Sequence, residues 1–178
     1  MNERKRVLAI ATVGVMLATT RGLAHDPSSV NEVEISPRLV TSGQPNAEAL
    51  GKLKAQGFQA VIYLAPPSVP DAVRDEQLIV TRQGITFVNI PVRFDDPTEA
   101  DFETFAAVLG ALGDRKVLVH CQVNMRASSM VFLYRAIKLK EEPRKAYEAV
   151  TRVWAPDGPW RRLIEQQLRK HRVSFELL

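Results

Sequence analysis

Cys121 is the only cysteine of the 178-residue chain, and it stands in the run Val119-His120-Cys121-Gln122-Val123-Asn124-Met125-Arg126-Ala127-Ser128-Ser129. An apolar stretch from Lys116 to His120 ends at this cysteine, and a helix is predicted to start near Arg126. A strand, a cysteine, a short loop, an arginine and a helix, in that order, make an anion site. Backbone N–H groups and a helix N-terminus supply positive potential there. The same field favours thiolate over thiol and so yields a nucleophile. The competing reading is a free cysteine that fills core space. The His120-Cys121 pair at a strand end and the arginine that follows weigh against it.

Alternating elements must position these residues. Arg38 to Thr41 reads as a first strand, followed by the turn Ser42-Gly43-Gln44-Pro45. Asn46 is expected to N-cap a helix from Ala47 to Gln56, with Ala49, Leu50 and Leu53 on its apolar face and Gly57 as its stop. Ala60 to Leu64 is a short apolar run, hence a buried strand. Pro66, Pro67 and Pro70 force a loop, after which Asp71 is expected to cap a helix running to Gln83. Ile85 to Ile90 reads as a third strand and Phe94-Asp95-Asp96-Pro97 as a loop. Thr98-x-x-Asp101 opens the next helix in a pattern close to a capping box, with Phe102, Phe105, Val108 and Leu109 on one face.

Lys116 to His120 is the fourth strand, and helices follow over Arg126–Lys140, Arg144–Val153 and Trp160–Lys170. Trp154 and Trp160 are expected to pack around the corner between the last two. Strands alternating with helices predict a single α/β domain with a mainly parallel sheet of four to five strands flanked by helices. Ligands of such sheets bind beyond the C-terminal strand ends, where Cys121 lies.

The N-terminus reads as a secretory signal. Arg4, Lys5 and Arg6 precede the apolar stretch Val7 to Thr20, and Gly22-Leu23-Ala24 places small residues where a signal peptidase cuts. A membrane span needs about 20 apolar residues, more than this stretch offers. The expected division is a signal over residues 1–24, a linker over 25–34 and one domain over 35–178. The expected location is periplasmic or secreted, with no stable membrane insertion after cleavage.

Cleavage also changes the charge argument. Residues 1–24 hold Arg4, Lys5, Arg6 and Arg21 against Glu3, so the formal +4 of the chain falls to +1. The basic character belongs largely to the signal, and no nucleic-acid partner is implied. Arg161, Arg162, Arg169, Lys170 and Arg172 read as a solvated helix face or as a lure for an anionic partner. A single cysteine forms no internal disulfide, and His25, His120 and His171 lack ligand spacing, so no metal or other cofactor is expected.

The chain resembles bacterial members of the protein tyrosine phosphatase superfamily, near the compact dual-specificity group. The resemblance covers roughly Ile35 to Trp160 and rests on Ser42-Gly43-Gln44-Pro45, on Gly57-Phe58 leading into Val61-Ile62-Tyr63-Leu64, and on Val119-His120-Cys121 through Arg126. It implies that Cys121 attacks phosphorus to form a phosphocysteine and that Arg126 clamps the phosphoryl oxygens. It also implies an aspartate acid on an earlier loop, here Asp95 or Asp96. His120, Gln122, Val123, Asn124, Met125 and Ser128 would line the bound phosphoryl group of a phosphorylated protein or small molecule. Asp95 and Asp96 also read as a solvated cap pair, and His120 as a satisfied core residue.

The match departs from the family pattern at one point. The usual signature has five residues between cysteine and arginine and a glycine among them, whereas here there are four, Gln122 to Met125, and no glycine. Asn124 is the best substitute, since asparagine tolerates the left-handed region. Ser128 keeps the usual spacing of the family's hydroxyl. The four-residue gap also resembles rhodaneses, sulfurtransferases that carry a persulfide on the cysteine and need no general acid. A non-catalytic oxyanion-binding module is the remaining alternative.

Overall fold

The computed structural model describes residues 29–177. The expected signal, its cleavage point after Ala24 and the linker up to Ser28 lie outside the described residues. Five strands form one sheet: β1 (Val33–Ser36), β2 (Leu39–Ser42), β3 (Ala60–Tyr63), β4 (Thr86–Asn89) and β5 (Val117–His120), in the order β1-β2-β5-β3-β4. β2, β5, β3 and β4 are mutually parallel, and β1 closes one edge antiparallel to β2. β5, which leads into Cys121, is the central strand.

The helices are α1 (Ala47–Gly51), α2 (Glu76–Thr81), α3 (Glu99–Ala111), α4 (Met125–Leu133), α5 (Pro143–Thr151) and α6 (Gly158–Lys170). Strand periodicity decides which of them share a face. Val61 of β3 and Leu118 of β5 pack with Leu50, Leu53 and Val80 from the α1–α2 side. Their neighbours Ile62 and Val119 pack with Phe102, Phe105, Met130, Ile164 and others from α3 to α6. Both faces are covered, so β3 and β5 read as unbroken apolar runs rather than alternating ones.

The structure corrects several boundaries. β1 is an additional strand that starts at Val33, inside the stretch read as linker, because its mixed residues Glu34 and Ser36 belong to a half-exposed edge. Asn46 caps α1 by accepting from the Ala49 N–H, but regular helix ends at Gly51 and irregular turns continue to Gly57, whose φ is +83°. α2 begins at Glu76, not at Asp71, whose carboxylate is used elsewhere. Thr98 and Asp101 form the full capping box of α3. α4 changes into a π-helical turn over Tyr134–Lys138 instead of running on to Lys140.

Trp154 and Trp160 meet edge to face at 6.4 Å, as expected of a corner. Much of the basic face of α6 is neutralised locally: Arg161 and Arg169 pair with Glu165, and Lys170 with Glu99. No helix among the described residues is long and apolar enough to cross a membrane.

Candidate active site

The loop after β5 is built by three flanking elements. Cys121 is fully buried, and its N–H continues the β2–β5 ladder by donating to Ser42 C=O at 3.2 Å. The next backbone contact is with the Gly43-Gln44-Pro45 turn: Gln44 N–H donates to Gln122 C=O at 2.9 Å. A Cβ at Gly43 would stand 2.8 Å from Gln122 O and 2.9 Å from Val30, so only glycine fits beside the loop. This gives the sequence motif its physical meaning. It is the wall against which the cysteine loop packs.

Asn124 is the turning point. Its φ of 71° and ψ of −2° are left-handed, as expected of the residue standing in for glycine, and it is the N-cap position of α4. Asn124 Nδ2 donates to Thr41 Oγ1 at 3.1 Å and to Asn31 C=O at 2.6 Å. The first intrahelical bond of α4 is Ser128 N–H to Asn124 C=O, so the N–H groups of Met125, Arg126 and Ala127 begin the helix without helical partners.

Arg126 lies in that first turn and is only 4% exposed. Its Nη1 donates to Gln122 Oε1 at 3.3 Å, and the Phe94 ring covers the guanidinium, 5.2 Å from Cζ to ring centroid. Its Nε is buried without a partner among the described residues. Gln122 is in turn held by Asp71, whose Oδ1 accepts from Nε2 at 2.7 Å. Val123 is exposed at the rim, and Met125 is half-buried. Ser128 Oγ donates to Met125 C=O at 3.2 Å, so its proton is committed to the turn below.

His120 is a buried, paired core histidine. Its Nε2 stands 2.6 Å from Glu76 Oε1, and Tyr63 stacks on the imidazole with centroids 4.8 Å apart. The second oxygen of Glu76 accepts from Gln44 Nε2 at 2.9 Å. Glu76 therefore braces both neighbours of Cys121, His120 directly and Gln122 by way of Gln44. Burial, reinforced by the nearby charges of Glu76 and Asp71, holds the Tyr63 phenol proton well above its usual range.

The two aspartates sit differently. Both are exposed, and no hydrogen bond joins either to the Cys121 loop among the described residues. The Phe94 ring brings their loop against Arg126. Asp95 accepts from Arg93 at 3.3 and 2.8 Å, and that bond holds its carboxyl below the usual range. Neither residue caps α3, a role Thr98 fills. Sequence reasoning missed Asn31, Asp71, Glu76 and Phe94 as contributors. Nothing local marks them, since each acts across a long sequence separation.

A family model described as DSP-PTPase phosphatase fused to NAD+ kinase matches residues 18–163. A beta-lactamase hydrolase-like protein from Xylella fastidiosa is 34% identical over 111 residues, 59% of this chain, and the chain spans 25% of that relative's length. The crystal structure of a Shewanella putrefaciens protein described as a candidate phosphatase is 32% identical with a TM-score of 0.74, covering 81% of this chain and 92% of that one. TpbA of P. aeruginosa in complex with phosphotyrosine shares the fold, with a TM-score of 0.62 at 22% identity and coverage of 86% and 94%. The family model and the Shewanella structure side with the phosphatase resemblance rather than the rhodanese one. The chain belongs to the family described as DSP-PTPase phosphatase fused to NAD+ kinase.

Proposed function

We propose that the chain hydrolyses a phosphate monoester through a phosphocysteine on Cys121, with Arg126 as the clamp and Asp96 as the acid. The observation that carries this reading is the buried Arg126 guanidinium, whose Nε has no partner among the described residues, in the first turn of the helix that follows Cys121. An oxyanion bound there meets that guanidinium and the free N–H groups of the helix start. The Cys121 thiolate attacks phosphorus as the P–O bond to the leaving group breaks. Asp96 gives its proton to the departing oxygen. Water then attacks the phosphocysteine and passes a proton to the Asp96 carboxylate. The S–P bond breaks, releasing inorganic phosphate and restoring the thiolate. A donor must start protonated. Asp95 is bound to Arg93 and held ionised, which favours Asp96.

The substrate is a phosphorylated protein or small molecule, and the reading includes export. The segment Arg4-Lys5-Arg6, the apolar stretch Val7 to Thr20 and Gly22-Leu23-Ala24 support a periplasmic or secreted location. N-terminal sequencing should find His25 first, and an intact Met1 in a membrane fraction would overturn export.

The catalytic test is cleavage of p-nitrophenyl phosphate. Cys121→Ser should abolish turnover while inorganic phosphate still binds. Arg126→Ala should weaken binding and rate together, because it removes a charge-assisted contact. Activity is expected to be weak, since the loop is one residue short and lacks its glycine. Phosphate binding without turnover would mean a binding module. Robust sulfur transfer from thiosulfate to cyanide without ester cleavage would falsify the phosphatase mechanism.

A further inference from the structure

The Cys121–Arg126 loop is also held from outside, by the segment that precedes β1. Asn31 Nδ2 donates to Val123 C=O at 3.1 Å, and Asn31 C=O accepts from Asn124 Nδ2 at 2.6 Å. One residue earlier, Val30 C=O accepts the Gly43 N–H at 2.6 Å. The N-terminal segment thus bonds to the loop at two consecutive residues and to the glycine wall beside it.

Both asparagines are left-handed, Asn31 at φ 52° and Asn124 at φ 71°. A left-handed conformation is strained for a non-glycine residue, less so for asparagine. A glycine at position 124 would take that φ freely and need no anchor. Asn124 instead keeps a side chain, and the structure uses it. Its amide is tied to Asn31 C=O on one side and Thr41 Oγ1 on the other, two residues before Arg126. The reciprocal bond from Asn31 fixes the carbonyl of Val123, so the N–H groups around Arg126 are aimed before any ligand arrives.

We infer that Asn31 is a positioning residue for the phosphate loop. Its amide and that of Asn124 form a reciprocal clasp that shapes this short, glycine-free loop. The inference rests on the reading of the loop as an oxyanion cradle. Asn31 is itself exposed and does not touch the reacting atoms.

The experiment is a double-mutant cycle on the full chain, with kcat and KM for p-nitrophenyl phosphate, Ki for inorganic phosphate and the melting temperature as readouts. Asn31→Ala should raise KM and Ki by about three- to tenfold, the size of one lost hydrogen bond. The melting temperature should fall by a few degrees at most, since the side chain is exposed and alanine is strained at this left-handed φ. In the Asn124→Gly background the same substitution should raise Ki less than about twofold, since glycine needs no clasp. Asn31→Gly, which keeps the backbone carbonyl, loses the Nδ2 donor and takes the left-handed φ freely, should reproduce the Asn31→Ala effect and separates the lost bond from strain. An unchanged Ki in Asn31→Ala, or an equal rise in both backgrounds, would overturn the clasp. A wild-type chain that neither binds phosphate nor cleaves the ester would overturn the parent reading and this one with it. Wild-type activity with an unmoved Ki in the variants sinks the clasp alone.

Discussion

Two loops meet at the Arg126 guanidinium, and they are built in opposite ways. The Cys121–Arg126 loop is enclosed: Cys121, Asn124 and Arg126 are buried, and Gly43, Gln44, Asn31 and Glu76 hold it from three directions. The Phe94–Pro97 loop is open. Phe94 is 40% exposed, the side-chain partner of Asp95 is Arg93 two residues away, and Asp96 faces solvent. Its anchor lies at its root, where Trp160 Nε1 donates to Phe94 C=O at 2.9 Å and the Phe94 ring packs at 5.9 and 6.0 Å on Trp154 and Trp160. The difference fits the two tasks proposed for these loops. Oxyanion binding needs donors fixed in advance, because reorganising them during reaction costs rate. Proton delivery needs a carboxyl that exchanges protons with water.

The largest expected effect tests whether the enclosed loop depends on its buried brace. Glu76→Ala leaves His120 and Gln44 without their carboxylate and should cost about 3–5 kcal/mol, since two groups each lose a hydrogen-bond partner at roughly 1–3 kcal/mol apiece. Urea unfolding measures it. Glu76→Gln, which keeps a hydrogen-bonding oxygen, should cost clearly less. Equal and small losses for both would show that the loop stands without this brace.

Next in size is the division of labour within the open loop. Asp96→Asn should slow hydrolysis of an alkyl phosphate by roughly 10²-fold, with a smaller penalty for p-nitrophenyl phosphate, whose leaving group needs little protonation. Asp95→Asn should leave the rate nearly unchanged. The reverse ranking would make Asp95 the acid and the Arg93 contact a resting state.

The smallest effect concerns the anchor of the open loop. Trp160→Phe keeps an aromatic ring and removes the Nε1 donor, one hydrogen bond of about 1 kcal/mol. Turnover of the alkyl phosphate should fall while the Ki for phosphate stays fixed, because only the acid's loop is loosened. A parallel rise in Ki would show that the two loops are coupled through the Phe94 ring over Arg126.

Much of the fold was legible because its signals are local. The runs Ala60–Leu64 and Lys116–His120, the cap at Asn46 and the capping box at Thr98 each announce themselves within a few residues. β1 did not, because an edge strand needs burial on only one side, and Glu34 and Ser36 mask the pattern. α2 looked longer than it is because Asp71 resembles a cap, whereas its carboxylate is spent on Gln122, 51 positions away.

By itself the sequence singled out Cys121 and Arg126 as the candidate nucleophile and clamp, and Asn124 as the residue to take the left-handed region. These depend on residue type, spacing along one short loop and the steric limits on φ. Only the tertiary structure decided what holds that loop. Glu76 against His120, Asn31 against Val123 and Asn124, and Phe94 over Arg126 join residues separated by 32 to 93 positions. Such contacts form when the sheet brings distant strand ends together, and no window of sequence contains both partners.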